Sequence, residues 1–208
     1  MSLRLVRATI VGAVLAPVAA IALAAQQPQQ GPPLPPNGWR IDPGHSAVTF
    51  RVRHLGMTWV NGKFGSWTGA LVFDSANPEA ATVEAHIQAA SVNTENERRD
   101  NDVRQNYFQV DSFPEITFVS RRVERAADDH LRVTGDLTIH GVTKSVVLET
   151  EIVGRLNGQR GKRMAFSATT TISRREFGIV RNNMMEGVPI VGDEIRITID
   201  IEAVQPNG

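Results

Sequence analysis

The stretch Gly135-Asp136-Leu137-Thr138-Ile139-His140-Gly141-Val142-Thr143-Lys144 carries the pattern on which most of the chain is built. Leu137 and Ile139 alternate with polar residues, which is the two-residue period of a half-buried strand. Gly141 interrupts this strand, and an apolar row resumes in residues 142–148, as in the return strand of an antiparallel hairpin. The stretch therefore predicts a β-hairpin with one apolar face.

The same alternation of apolar and polar residues recurs along the chain. Clusters of Gly, Asp, Asn and Pro between the alternating segments are typical of turns. Gly56 and Asn61-Gly62 in particular predict a loop and a turn after the first strand. The eight predicted strands are residues 45–54, 67–73, 82–90, 115–124, 131–139, 142–152, 164–172 and 195–201.

One polar and charged segment, residues 93–106, departs from the alternation. Thr94 and Glu97 have the three-residue spacing of a capping box, which predicts a short surface helix over residues 95–106. No helix of this length covers a sheet, so strands with one apolar face need a second sheet or closure on themselves. The fold class predicted is all-β, an antiparallel up-and-down barrel of about eight strands with one short surface helix.

The interior of an eight-stranded barrel is either filled by side chains or just wide enough for one slender ligand. Several residues predicted to face inward are small, and this favours a lined cavity over a packed core. They are Gly69, Ala85, Ala89, Gly135 and Ala168.

The two ends of the chain do not fit the barrel pattern. Residues 1–25 have a basic start, an uncharged apolar run and an Ala-x-Ala site, so we predict a cleaved signal peptide. Residues 26–38 are rich in Pro and Gln and predict a disordered spacer. The predicted barrel domain covers residues 39–204 and a tail covers 205–208.

The composition excludes several classes of function. The chain has no cysteine, which rules out disulfides, thiolate zinc sites and a cysteine nucleophile. It has 22 basic and 22 acidic residues without a basic run, so no nucleic-acid partner is expected. No long apolar span follows residue 25, and we expect no transmembrane segment in the mature chain. No cofactor is predicted.

Catalytic and metal-binding patterns are weak. Ser46, Ser173, His45 and His140 are present, but there is no G-x-S-x-G motif, and we predict that the chain is not an enzyme. The histidines show no HxH or HxxxH spacing, so no metal site is predicted. They are His45, His54, His86, His130 and His140.

With these residues in view, the chain resembles the YceI family of lipocalin-like exported bacterial proteins. The resemblance rests on motifs that are weak singly and specific together, and that run in order from about residue 39 to 203. They are Trp39-x-Ile41-Asp42-x-x-His45-Ser46, Gly62-x-Phe64 to Gly69, Arg99-Asp100 with Tyr107-Phe108, Phe113-Pro114-x-Ile116-Thr117-Phe118-x-Ser120, Gly135 to Lys144, Ser173-Arg174 with Phe177-Gly178, and Gly192-Asp193-Glu194.

The resemblance implies a periplasmic barrel that binds a polyisoprenoid or a similar long amphiphile in its interior. The residues predicted to contact the tail are apolar and face inward, although an ordinary core would have the same pattern. They are Phe50, Val52, Trp67, Leu71, Phe73, Ile87, Phe118, Leu137, Ile139, Phe166, Phe177, Ile197 and Ile199.

A head-group site at the barrel mouth would use polar and charged residues that meet a phosphate or quinone oxygens. The alternative is a structural role, with Arg99 or Arg174 paired to Asp100. One departure from the family concerns Asp102, where the family pattern Arg-Asp-x-His-Leu-Arg has His. The predicted head-group residues are His45, Arg99, Asp100, His140, Lys144 and Arg174.

The function predicted is therefore non-enzymatic binding, transport or storage of a polyisoprenoid, either a polyprenyl phosphate or an isoprenoid quinone. Three rival hypotheses remain open: sequestration of foreign hydrophobic compounds, an enzyme that acts on a bound isoprenoid, and a structural barrel with a filled interior. A monomer and a homodimer are both compatible with the sequence.

Overall fold

The computed structural model describes residues 34–159 and 161–205. The strands are β1 (Gly38–Ile41), β2 (Ala47–His54), β3 (Thr58–Phe64), β4 (Trp67–Val72), β5 (Thr82–Gln88), β6 (Val92–Asn93), β7 (Glu115–Ala127), β8 (His130–Ile139), β9 (Val142–Gly158), β10 (Gly161–Ser173), β11 (Met184–Met185), β12 (Val188–Pro189) and β13 (Val191–Gln205). The helix α1 (Glu97–Asp102) continues as a π-helix (Val103–Phe108), and 3-10 turns cover Pro78–Ala80, Ala89–Ser91 and Arg174–Phe177.

Within these residues the long strands form one closed antiparallel barrel. The order around the barrel is β1-β4-β5-β7-β8-β9-β10-β13, and β13 returns to β1 through the pair Arg40↔Val204. Because consecutive strands are neighbours, the barrel is of the up-and-down type. The predicted fold class, an eight-stranded antiparallel barrel with one short helix, is confirmed.

Three of the eight barrel strands are bent and are each built from two segments. β1 and β2 lie along the same edge of β13, separated by a turn at residues 42–46. β4 pairs with β1, while β3 pairs with β2 and β6. Across the bend, Gly65 N donates to Ser91 O and Gln88 N donates to Ser66 O, each at 3.0 Å. These bonds keep the ladder continuous where the sheet curves to close.

The hairpin between β8 and β9 has a two-residue turn. His140 and Gly141 have φ angles of 52° and 73°, and the flanking pair is Ile139↔Val142. Positive φ at both central residues is the type I′ geometry, whose twist matches that of the flanking strands. The turn thus lies where the sequence predicted it.

The helix lies two residues further along the chain than predicted, because a different residue caps it. The Asn96 side chain accepts from Arg99 N at 3.0 Å and forms the N-cap. Thr94 instead donates its hydroxyl to Asp100 Oδ1 at 2.5 Å. The capping box between Thr94 and Glu97 was therefore a wrong prediction.

Two further differences concern strands. The turn predicted at Asn61-Gly62 is wrong, because both residues lie inside β3, where Gly62 pairs with Phe50. β1 begins at Gly38, the last residue assigned to the spacer, and Gln205 of the predicted tail ends β13. The predicted signal peptide and spacer residues 1–33, and residues 206–208 of the tail, lie outside the described residues.

Candidate functional site

The barrel encloses a cavity of about 720 Å³. This volume is within the range of roughly 300–1,000 Å³ that is usual for ligand sites. Its wall is mainly apolar, and all thirteen residues predicted to contact a lipid tail line it, from Phe50 and Val52 on β2 to Ile197 and Ile199 on β13. That they line the cavity is a structural fact, whereas their binding of a ligand stays a prediction.

The cavity does not arise from the small residues in the way the sequence suggested. A Cβ atom at Gly135 would clash with the ring of Phe118, and a Cβ atom at Gly69 would lie 2.7 Å from Ile41 Cδ1. Ala89 is fully buried outside the cavity wall. The space beside both glycines is therefore occupied by larger neighbours, as aromatic rings commonly cover glycines in curved sheets. Of the five small residues, Gly69, Ala85 and Ala168 line the cavity, and Ala89 and Gly135 do not.

One end of the cavity is polar, and we call it the mouth. It lies beneath α1 and the segment 174–191, beside the end of β2. Among the described residues, four arginines and one aspartate line the mouth, so these residues give it a positive formal charge. They are Arg53, Arg98, Arg99, Asp102 and Arg174.

Arg174 is buried at the mouth without a carboxylate partner among the described residues. Its guanidinium donates to four backbone carbonyls, those of Ile179 (2.6 Å), Arg181 (2.9 Å), Val191 (3.1 Å) and Gly192 (2.9 Å). Burial lowers the pKa of the Arg174 guanidinium, since removal from water disfavours its charge. Arg174 therefore ties the segment 179–192 to the end of β10 and also brings a positive charge to the cavity.

Arg99 and Asp100 do not form the direct ion pair that was one alternative. Thr94 lies between them: Arg99 Nε donates to Thr94 Oγ1 at 2.7 Å, and Thr94 N donates to Asp100 Oδ1 at 2.8 Å. Asp100 is buried and does not line the cavity, whereas Arg99 does. Asp100 therefore orders the start of α1, and Arg99 faces the mouth.

Asp102 forms a polar contact across the mouth. Its Oδ1 lies 3.2 Å from Arg181 Nη2 and accepts from Asn106 Nδ2 at 2.7 Å. The guanidinium groups of Arg174 and Arg181 also lie over the ring of Tyr107, at 5.9 and 5.6 Å from its centroid. Arg181 Nε is buried and has no partner among the described residues. The helix and the segment 174–191 are thus joined by one ion pair and one aromatic ring.

Comparison with known proteins identifies the family of this chain. The profile of the YceI-like domain family matches residues 39–203. The chain belongs to the YceI family. Protein YceI of Escherichia coli O17:K52:H18 (strain UMN026 / ExPEC) and that of Salmonella arizonae are each 36% identical to it over 163 residues, which cover 77% of this chain and 82% of the relative.

Solved structures show the same YceI barrel. The YceI protein of Campylobacter jejuni is 31% identical, with a TM-score of 0.66 over 74% of this chain and 90% of that one. BcnA of Burkholderia cenocepacia (22% identical, TM-score 0.71, 79% and 99% coverage) has the same fold. So has a domain of Saccharophagus degradans that is described as polyisoprenoid binding (13% identical, TM-score 0.59, 83% and 100% coverage).

Besides Asp100, three predicted head-group residues of this YceI chain do not line the cavity. His45 is exposed in the turn between β1 and β2. His140 lies in the β8–β9 turn against Phe113, at 4.2 Å between ring centroids, and Lys144 is exposed on β9. Of the six predicted residues, Arg99 and Arg174 alone are among those that line the cavity.

His45 takes part in an ion-pair network outside the cavity. Its Nδ1 lies 3.0 Å from Asp42 Oδ2, which raises the pKa of His45 and lowers that of Asp42. Ligand atoms of Asp42, His45 and Glu202 lie within 4.8 Å of one another, a grouping that could hold a metal ion. Arg163 Nη1 donates to Glu202 Oε1 and lies 3.8 Å from Asp42 Oδ2. Since this guanidinium already neutralises the carboxylates, we interpret the group as an ion-pair network.

The two serines considered for catalysis have structural partners in the YceI fold. Ser46 Oγ donates to Glu202 O and accepts from Glu202 N, and Ser173 Oγ donates to Asp193 Oδ2 at 2.7 Å. These bonds link β13 to β2 and to the end of β10.

Among the residues described, none of the helices combines the length and the apolar character that a membrane crossing requires.

Sequence reasoning missed several mouth residues. Arg53, Arg98 and Arg181 carried no signal, because charged residues on an exposed strand end, a short helix and an irregular segment have no period to reveal them. Asp102 was noticed only as a departure from the family pattern, and the structure shows that it faces the mouth.

Proposed function

We propose that this chain is a periplasmic, non-enzymatic binding protein that carries or stores a polyisoprenoid, either a polyprenyl phosphate or an isoprenoid quinone. The observation that carries the proposal is the large apolar cavity inside the barrel with charged groups at one end. Membership of the YceI family and the polyisoprenoid-binding description of the Saccharophagus degradans domain support it.

The cavity volume sets the length of tail that can be enclosed. At about 30 Å³ per water-sized group, 720 Å³ holds roughly two dozen heavy atoms, or about five isoprene units. At about −0.3 kcal/mol per heavy atom, the enclosed part contributes about −7 kcal/mol, equivalent to a Kd near 5 μM. A longer tail would extend through the mouth, and contacts with the head group would add to this affinity.

The mouth supports an anionic head group. Arg98 and Arg99 on the helix offer guanidinium groups, which suit phosphate oxygens. The negative charge of Asp102 would repel an anionic head group, but Asp102 forms an ion pair with Arg181, which offsets this charge. We therefore propose Arg99 and Arg174, with Arg98, as the residues nearest the head group. A quinone is the second candidate, since its oxygens accept hydrogen bonds from the same groups.

Organic extraction and mass spectrometry test the proposal directly. The mature protein is purified without detergent from the periplasmic fraction of its native host, and a parallel extract from a strain lacking the protein serves as the control. We expect about one isoprenoid per chain, with its head and tail read from the mass. Absence of any lipid, together with failure to take up added geranylgeranyl phosphate, would contradict the proposal.

Two further measurements separate the rival functions. Incubation of the protein with the extracted lipid should leave the lipid chemically unchanged; turnover that stops in His140→Ala would favour an enzyme. Preferential retention of foreign hydrophobic compounds over the isoprenoid would favour sequestration.

Export is tested by the intact mass of the protein from that fraction. A mature chain that begins at Gln26 would agree with a cleaved signal peptide, whereas the full-length mass in the cytoplasmic fraction would contradict both the signal and the periplasmic location.

A further inference from the structure

The mouth end of the barrel carries exposed apolar side chains that the cavity does not use. We call this set the apolar rim. Exposure of its members ranges from 42% for Val188 to 68% for Met57. Adjoining exposed apolar side chains at a binding opening are typical of surfaces that meet another apolar phase. The rim consists of Met57, Val180, Met184, Met185 and Val188.

Backbone hydrogen bonds hold the rim together. β11 and β12 form a hairpin with the pair Met185↔Val188, turned by Glu186 and Gly187 at φ 51° and 83°. Ile190 N donates to Asn183 O at 2.9 Å at the base of this hairpin. Leu55 N donates to Ile190 O at 3.0 Å, which joins the hairpin to the β2–β3 turn that carries Met57. These bonds join Met57, Met184, Met185 and Val188 into one structural unit, and Val180 precedes the hairpin by four residues in the sequence.

A cluster of arginines lies on the outer wall directly below the rim. Arg51, Arg53 and Arg196 surround the ring of Trp59, with guanidinium carbons 4.8, 4.0 and 4.9 Å from its centroid. We call these four residues the arginine cluster. In the described part of the chain, Arg196 is the single arginine of the three with an acidic partner, Glu194 at 2.7 Å. The cluster thus carries a net positive charge on an exposed surface.

The depth of these two groups matches a lipid interface. Arg51 and Arg53 precede the end of β2 at His54 by three residues and one residue, or about 10 and 3 Å at 3.3 Å per residue. Interfacial protein segments bury apolar side chains about 5–10 Å into the boundary of head groups and acyl chains. With the rim at that depth, the guanidinium groups and Trp59 lie at the level of the phosphates, where such side chains are favoured.

We propose that the mouth end of the barrel docks on an anionic lipid surface, with the apolar rim inserted and the arginine cluster on the lipid phosphates. Docking itself follows from the surface alone; its purpose, transfer of a lipid between the membrane and the cavity, rests on the proposed function. Such docking would let a tail pass into the mouth without crossing water.

Charge distinguishes this partner from a second copy of the chain. In a two-fold symmetric dimer through the rim, two arginine clusters would approach each other, and like charges would repel. An anionic surface instead complements the cluster. Glu186 at the hairpin tip opposes deep insertion, so the docking is shallow and reversible.

Flotation with lipid vesicles tests the inference. The protein is mixed with vesicles of phosphatidylglycerol and phosphatidylethanolamine, or of phosphatidylcholine alone. We expect binding to the anionic vesicles that weakens as salt is raised. The double variant Met184→Asp/Met185→Asp should lower the partition at least about tenfold, and Arg51→Gln about fivefold on anionic vesicles only. Glu186→Gln should raise it.

The matched control is Val153→Asp/Leu156→Asp, which places the same charges at two exposed apolar residues of β9 outside the rim. This control should bind vesicles like the unmodified protein. Equal losses of vesicle binding in the two double variants would overturn the inference. So would a failure of the unmodified protein to bind anionic vesicles. So would a dimer in analytical ultracentrifugation that Met184→Asp/Met185→Asp dissociates while vesicle binding stays unchanged.

A second readout keeps this inference separate from the proposed function. Uptake of geranylgeranyl phosphate from solution does not need a membrane, so Met184→Asp/Met185→Asp should retain it. Lost uptake in this folded variant would show that the hairpin belongs to the cavity site, which would overturn its assignment as a docking surface. Retained vesicle binding without any uptake by the unmodified protein would instead contradict the proposed function alone.

Discussion

Filling the cavity with a phenyl ring is the most direct perturbation of the proposed tail site. Ala168 lies on β10, lines the cavity, and has Ile199 and Thr150 as its cross-strand neighbours. Ala168→Phe adds about six carbon atoms to a space that holds roughly two dozen heavy atoms. Each displaced ligand atom contributes about 0.3 kcal/mol of binding free energy. The variant should therefore lose about 2 kcal/mol of binding free energy, which corresponds to a 20- to 30-fold higher Kd.

The neighbouring residue supplies the control. Thr169 is exposed on the outer face of the same strand, so Thr169→Phe adds a ring without entering the cavity. Isothermal titration calorimetry with geranylgeranyl phosphate measures both affinities, and circular dichroism establishes that both variants fold. A folded Ala168→Phe protein with an unchanged Kd would refute the placement of the tail in the barrel.

Three other perturbations address the mouth and the ion-pair network. Asp102→Asn removes the acidic charge that lines the mouth, and we expect about two- to fivefold tighter binding of geranylgeranyl phosphate but not of neutral geranylgeraniol; equal gains for both ligands would argue against an electrostatic effect. Arg174→Met leaves four backbone carbonyls without their buried donor, so its free energy of unfolding, measured in urea, should fall by at least about 3 kcal/mol, whereas exposed Arg175→Met should change it by less than about 1 kcal/mol. The pKa of His45 is raised above 6.5 by Asp42, so this pair stabilises the fold fully below about pH 6.5 and loses its effect as the pH rises through the raised pKa. His45→Gln should therefore be less stable than the unmodified protein near pH 5 and equal to it near pH 9, and a difference that persists at pH 9 would contradict this reasoning.

The fold could be predicted from the sequence because its main determinant is local. Alternation of apolar and polar residues marks each barrel strand independently, and the His140-Gly141 turn needs only two residues with positive φ. The predictions that were wrong concern features that depend on contacts between strands. Asn61-Gly62 has the composition of a turn, yet Gly62 lies within β3 under the ring of Phe50. No local signal reveals a ring from a neighbouring strand that covers a glycine.

The candidate site also has a part that local sequence patterns predict, the apolar wall, and a part that they do not predict, the mouth. The apolar wall follows mainly from the inward row of each strand, so thirteen of its residues could be named in advance. The mouth is formed by α1 and the segment 174–191, whose side chains meet only after the barrel has closed. Arg174 shows the limit: its type and position suggested anion binding, but four of its hydrogen bonds hold backbone carbonyls.

The junction between the first and last strands has a consequence for synthesis. β1 pairs with both β4 and β13, and Gln205 Nε2 donates to Gly38 O across 167 residues of sequence. Contacts this distant form slowly and need nearly the whole polypeptide. A nascent chain that still lacks β13 has no complete wall and cannot enclose a lipid. The protein therefore has no closed cavity until its C-terminal strand β13 has been synthesised and has paired with β1 and β10.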